Sequence, residues 1–137
     1  MSCKRSLFVA LAVAFAIPSA QAQISDGIVK IGVLTDMSSL YSDITGPGSV
    51  TAARMAIEDF APAKHGMKVE LVSADHLNKP DVGSNIARQW YDVDKVDVIV
   101  DVPTSSIALA INQITRDKGK AFLVSGAATS DLSGKAC

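Results

Sequence analysis

The sequence predicts an α/β fold built on an open, doubly wound parallel sheet. Three observations carry that prediction: four short apolar runs rich in β-branched residues, helical apolar spacing between them, and regular alternation of the two patterns. The runs are IVKIGVLT from Ile28, KVELVSA from Lys68, VDVIVDV from Val96 and AFLVS from Ala121. Their nearly continuous apolar character is that of strands covered on both faces. Strand, helix, strand repeated three times implies parallel pairing through right-handed crossovers.

Ahead of the first run, residues 1–22 read as a secretory signal. Lys4 and Arg5 precede an apolar stretch from Leu7 to Ile17, followed by Pro18 and the cleavage motif Ala20-Gln21-Ala22. The stretch is shorter than the roughly 20 residues that cross a bilayer, so no stable membrane insertion is expected after cleavage. Gln23 then begins the mature chain, and residues 23–137 form one expected domain. The leader takes two of the thirteen basic residues and none of the fourteen acidic ones, which leaves a mature charge of −3. Mild acidity without a basic stripe argues against a nucleic-acid partner. Of the two cysteines, Cys3 lies in the leader and Cys137 stands alone in the mature chain, so no internal disulfide is expected.

After the first strand comes a long loop, DMSSLYSDITGPG, and then a helical face of Val50, Ala53, Ile57 and Phe60. Ala61-Pro62 and Gly66 end that helix. The second strand runs to Asp75, and Pro80 with Asp81 opens a helix whose apolar face is Val82, Ile86, Trp90 and Val93. Pro103 breaks the third strand. Ser105 or Ser106 is placed to cap the third helix, whose face is Ile107, Ala110, Ile111 and Ile114 and whose end is Lys118-Gly119. The fourth strand runs into SGAATSDLSG.

Ligands of open α/β sheets bind beyond the carboxyl ends of the strands. Function therefore falls to Asp36–Gly48, Asp101–Ser106 and Ser125–Gly134, all rich in Ser, Thr, Gly and Asp. The opposite loops, APAKHG and DKGK, have the lysine and turn chemistry of solvated connections. In the third loop, Ser105 and Ser106 beside a helix start suit an anion, which would meet free N–H groups and two hydroxyls. The plain alternative is that one serine only caps the helix. Gly126, Ala127 and Ala128 leave the main chain of the last loop open to a ligand, with Thr129 and Ser130 adding hydroxyls; an ordinary polar loop reads the same way. Tyr41 either lays its ring over a bound molecule or packs on its own loop. Gly46-Pro47-Gly48 is turn chemistry and no dinucleotide fingerprint.

Other residues carry less. Asp36, Asp101 and Ser125 resemble the layout of a phospho-acceptor receiver, but Asp36 stands beside Met37 without a paired acid. Asp75 could hold a ribose only with a glycine fingerprint, which is missing. His65 and His76, without neighbouring ligands, read as surface residues and not as metal sites. No nucleophile–base–acid set is evident, so no enzyme activity, metal or cofactor is expected.

Taken together, KIGVLTDMSSLYSDITGPGSVTAARMAIEDF from Lys30, VDVIVDVPTSSIALAI from Val96 and FLVSGAATSDLSGKAC from Phe122 resemble the branched-chain amino-acid-binding (type I) periplasmic solute-binding proteins. These are the substrate receptors of ABC importers, and the resemblance covers residues 24–137. It implies a two-lobed protein of which this chain is the incomplete amino-terminal lobe, located in the periplasm and partnered by an inner-membrane permease. It implies that Ser105 or Ser106 takes a ligand carboxylate, that Ala127, Ala128 and Thr129 add main-chain and hydroxyl contacts, and that Tyr41 is the aromatic of the first loop. Members that bind amino acids grip the ammonium group with an acid from the second lobe. The first loop also resembles members that take aromatic or other organic acids, so the expected ligand is an amino acid or a related small carboxylate. A ligand-sensing domain of a signalling receptor with the same fold is the alternative, and a secreted α/β enzyme a third.

Overall fold

A computed structural model describes residues 27–136; the leader and Cys137 lie outside the described residues. Four strands, β1 (Val29–Thr35), β2 (Val69–Asp75), β3 (Val98–Asp101) and β4 (Ala121–Val124), alternate with three helices. The helices are α1 (Gly46–Phe60), α2 (Pro80–Asp92) and α3 (Ser105–Lys118). All neighbouring strands pair in parallel, in the order β2-β1-β3-β4. The predicted α/β class and parallel sheet are therefore present.

The helix boundaries follow local chemistry. Pro47 sits in the first turn of α1 and Pro80 in that of α2, where the missing N–H costs nothing. Ala61, left-handed at φ +49°, ends α1 before a short 3-10 turn over Pro62–His65. Gly119, at φ +61°, ends α3 as its position after Lys118 predicts. Gly46-Pro47-Gly48 lies inside α1 and not ahead of it. The N-cap of α3 is Thr104, so neither Ser105 nor Ser106 fills the capping position expected for one of them.

Packing is one-sided. The core joins Leu34, Ile99 and Val102 of the sheet side to Ala87, Trp90 and Tyr91 of α2 and Ile107, Ala108, Ile111 and Ile114 of α3. Burying each large member fully is worth about 1.5–3 kcal/mol. The α2 face is rotated from the expected one: Gly83, Ala87, Trp90 and Tyr91 are buried, whereas Val93 is exposed. Gly32 is required in β1 because a Cβ there would lie 2.5 Å from the Trp90 ring.

On the opposite face α1 covers the sheet loosely. An apolar groove of about 370 Å³ opens between Ala53, Ile57 and Phe60 of α1 and Val29, Ile31, Val69 and Val100 of the strands. Leu123 of β4 is 63% exposed and Phe60 49%. The expectation that every strand is covered on both faces therefore fails for β4, whose residues alternate between exposed and half-buried.

Candidate functional site

The strand order places β1 and β3 side by side, with α1 against one face of the sheet and α3 against the other. Connections leaving these two strands diverge, which opens a crevice at their carboxyl ends. A cleft of about 310 Å³ lies there, lined by Tyr41, Ile44 and Thr45 after β1, Pro103 and Ser105 after β3, and Gly126 and Ala128 after β4. The three loops singled out in the sequence thus meet at one place.

The first loop is pinned by two carboxylates. Asp36, with no exposed surface, accepts hydrogen bonds from the Ser39 N–H (2.9 Å), the Ser39 hydroxyl (2.7 Å) and the Tyr41 N–H (2.9 Å). Asp75 accepts from the Met37 N–H (3.1 Å), the Ser38 hydroxyl (2.5 Å) and the Leu77 N–H (2.7 Å). Burial by itself would raise both carboxyls, but these donors outweigh it and hold each below the ordinary value of 3.8. At the far end of the loop the Thr35 hydroxyl oxygen accepts from the Gly46 N–H at 3.1 Å. Tyr41 is half-buried, its carbonyl accepts from the Ile44 and Thr45 N–H groups, and the residue lines the cleft.

The second loop leaves β3 through a strained turn. Asp101 and Val102 have φ of +81° and +54°, a region that a β-branched residue rarely enters. Such strain, about 1–3 kcal/mol per residue, persists only where the surroundings enforce it. Here the Val102 N–H donates to the Leu34 carbonyl at 3.0 Å, the Val102 side chain is wholly buried, and the Ser125 hydroxyl donates to the Asp101 carboxylate. The turn delivers Thr104 and Ser105 to the crevice. No side chain caps α3, and the N–H groups of its opening turn have no acceptor within the helix. They and the Ser105 hydroxyl present donors and partial positive charge at the cleft.

The third loop closes against the second at Gly126, where a Cβ would come within 3.3 Å of Pro103. Ala128 lines the cleft, whereas Ala127 packs half-buried against the core. Thr129 caps the short 3-10 turn Ser130–Leu132, its hydroxyl oxygen accepting from the Asp131 N–H at 3.3 Å. Ser106 is exposed at the second position of α3. Tyr41, Ser105 and Ala128 therefore share the cleft wall, while Ser106, Ala127 and Thr129 flank it.

Both histidines require comment. His65 is exposed and stacks on Phe60 with ring centroids 4.7 Å apart. His76, expected at the surface, has no exposed area: its backbone N–H donates to the Thr35 carbonyl and ties the β2–α2 loop over the end of β1. Among the described residues His76 Nε2 and Asp101 Oδ2 are buried without a hydrogen-bond partner. Burial holds the imidazole below its ordinary 6.5, although the nearby carboxylates of Asp36, Asp75 and Asp101 pull the other way. The sequence alone does not mark Asp36, Asp75, His76 or Thr104 individually as builders of the site. For Thr104 a signal existed, since threonine directly before a helix start is a preferred cap; the buried fate of His76 has none. Among the described residues no three His, Cys, Asp or Glu side chains gather as a metal site, and no helix is long and apolar enough to cross a membrane.

Comparisons with known proteins agree with this layout. A family model described as "Periplasmic binding protein" matches residues 28–137. A branched chain amino acid ABC transporter periplasmic ligand-binding protein from Burkholderia xenovorans LB400 is 50% identical, with a TM-score of 0.76 over 80% of this chain and 29% of that one. A periplasmic binding protein from Burkholderia mallei is 40% identical, with a TM-score of 0.77 over 81% of this chain and 30% of that one. A solute binding protein of an ABC transporter from Rhodopseudomonas palustris BisB5, solved with 3,4-dihydroxy benzoic acid, shares the fold at 23% identity and a TM-score of 0.70, over 79% of this chain and 30% of that one. No curated protein matches. The chain spans about 30% of the length of these structures. A parallel sheet with its cleft at the β1/β3 switch point and a family match over 28–137 lead to one conclusion: the chain belongs to the periplasmic binding protein family.

Proposed function

We propose that this chain forms one wall of the ligand cleft in a periplasmic solute receptor of an ABC importer, and that the ligand is a small carboxylate. The observation that carries this reading is the uncapped start of α3, which opens beside Ser105 into a cleft whose other lining residues include Tyr41, Ile44 and Pro103. A carboxylate there accepts hydrogen bonds from the opening N–H groups of α3 and from the Ser105 hydroxyl, with Ser106 supporting from the outer side. Tyr41, Ile44 and Pro103 cover the apolar body of the ligand, as binding clefts generally do. Ala127 and Ala128 offer main-chain contacts at the opposite rim. Thr129 keeps its hydroxyl proton for a ligand oxygen while its oxygen accepts from Asp131.

An amino acid and an aromatic acid share the carboxylate and differ in what surrounds it, so both fit this wall. Support for the amino-acid end comes from the name of the 50% identical relative. In the proposed cycle residues 1–22 direct export, the ligand enters between two lobes, and lobe closure presents it to a membrane permease. Calorimetry on the full-length gene product that carries this chain tests the reading, with L-leucine, benzoate and their neutral amides as probes. Binding of at least one acid in clear preference to its amide is expected. Equal binding of acid and amide would refute the carboxylate assignment.

A further inference from the structure

The β2–α2 loop turns through two successive left-handed residues, Leu77 at φ +53° and Asn78 at φ +52°. Asparagine adopts that region readily and leucine does not, so the turn has to be held. The Leu77 N–H donates to Asp75 (2.7 Å), the Asn78 N–H to His76 Nδ1 (3.0 Å) and the Lys79 N–H to the His76 carbonyl (2.9 Å). Since Nδ1 accepts a hydrogen bond from the Asn78 N–H, the buried imidazole carries no proton at that atom. So held, Asn78 reaches the neighbouring loop, where its side-chain carbonyl accepts a hydrogen bond from the Thr104 hydroxyl at 2.7 Å.

Thr104 is the N-cap residue of α3 and has the extended angles of a capping residue, φ −87° and ψ +120°. A threonine in that position ordinarily turns its hydroxyl oxygen onto the N–H groups of the first turn. Here its oxygen accepts no such bond; the hydroxyl is turned to donate to Asn78, and that orientation, not the use of its lone pairs, is what keeps the oxygen off the helix N–H groups.

We infer that Asn78 is a positioning residue, which diverts the Thr104 hydroxyl from capping α3 and so keeps the opening N–H groups free for the ligand carboxylate. This inference rests on the carboxylate reading of the α3 start. Asn78→Gly deletes the acceptor while tolerating the left-handed backbone. The freed Thr104 hydroxyl then caps α3, and the ligand has to displace it.

The test measures the affinity of the full-length gene product for L-leucine and benzoate, together with the melting temperature of the free protein. Asn78→Gly is expected to weaken the bound acid about fivefold, the factor that corresponds to one side-chain cap, without lowering the melting temperature. Thr104→Val in the same background removes the competing hydroxyl and restores wild-type affinity. Asn78→Ala gives the same pair of results if the glycine variant does not fold. Unchanged affinity in the Asn78 variant overturns the inference, as does a weakening that Thr104→Val fails to reverse, because general damage to the loop would not be rescued from across it. Wild-type protein that ignores both acids, or binds them as well with Ser105→Ala, removes the carboxylate reading itself and the inference with it.

Discussion

Replacing Ser105 with alanine separates its two readings, cap and ligand donor. Ser105 is the first residue of α3 and Thr104 is its N-cap, so the serine side chain makes no cap bond that alanine would forfeit. Alanine is also the better helix former. The free protein is therefore expected to melt at the wild-type temperature. A bound carboxylate, by contrast, loses one charge-assisted hydrogen bond, worth about 1.5–3 kcal/mol. That corresponds to a rise in Kd of about 10- to 150-fold. Calorimetric titration with whichever acid binds the wild type gives the affinity, and a scanning melt of the free protein gives the stability. A loss of about 1 kcal/mol in stability with Kd unchanged, as expected of a pure cap, would refute the reasoning.

Three further outcomes follow from the packing and the buried groups. Gly32→Ala places a methyl 2.5 Å from a Trp90 ring that is itself 7% exposed and has little room to move; it should cost about 1–3 kcal/mol in denaturant unfolding, and a neutral result would contradict the packing described. His76 is held below 6.5 in the folded protein; the unfolded chain takes up a proton first, so its contribution is complete above 6.5 and is lost as pH falls from there toward the lower folded value. Urea melts from about pH 7 to 5 should show that decline in the wild type and a shallower one in His76→Gln, and parallel slopes would count against a neutral buried imidazole. Because the α1 side of the sheet leaves Phe60 exposed at an apolar groove and Leu123 exposed beside a second cleft next to Ser49 and Ala52, a protein of residues 23–137 alone should bind hydrophobic dyes and unfold without a sharp transition; a single cooperative melt would exclude this.

The alternation of apolar runs and helical faces determined the class of fold, because strand burial and helix amphipathicity are local periodicities that a chain displays before it folds. The clustering of Ser, Thr, Gly and Asp after β1, β3 and β4 likewise marked the loops that form the cleft. Periodicity served α3 well, where Ile107, Ile111 and Ile114 are buried as expected. In α2 it held only in part: Trp90 is buried and Ile86 packs on the core as expected, but the close approach of α3 shifts the face toward Gly83 and Ala87 and leaves Val93 exposed.

What the tertiary structure alone decided is which polar groups remain available. Asp36 and Asp75, ends of separate strands in the sequence, converge on one loop and spend their oxygens holding it. His76, polar and set among polar neighbours, is covered once the loop folds over β1. Thr104 has the residue type and angles of a cap, yet its hydroxyl is engaged by Asn78, which lies far away in sequence and 2.7 Å away in space. Residue type sets what a group can donate or accept; whether it is already taken depends on contacts between distant segments, which no local pattern records.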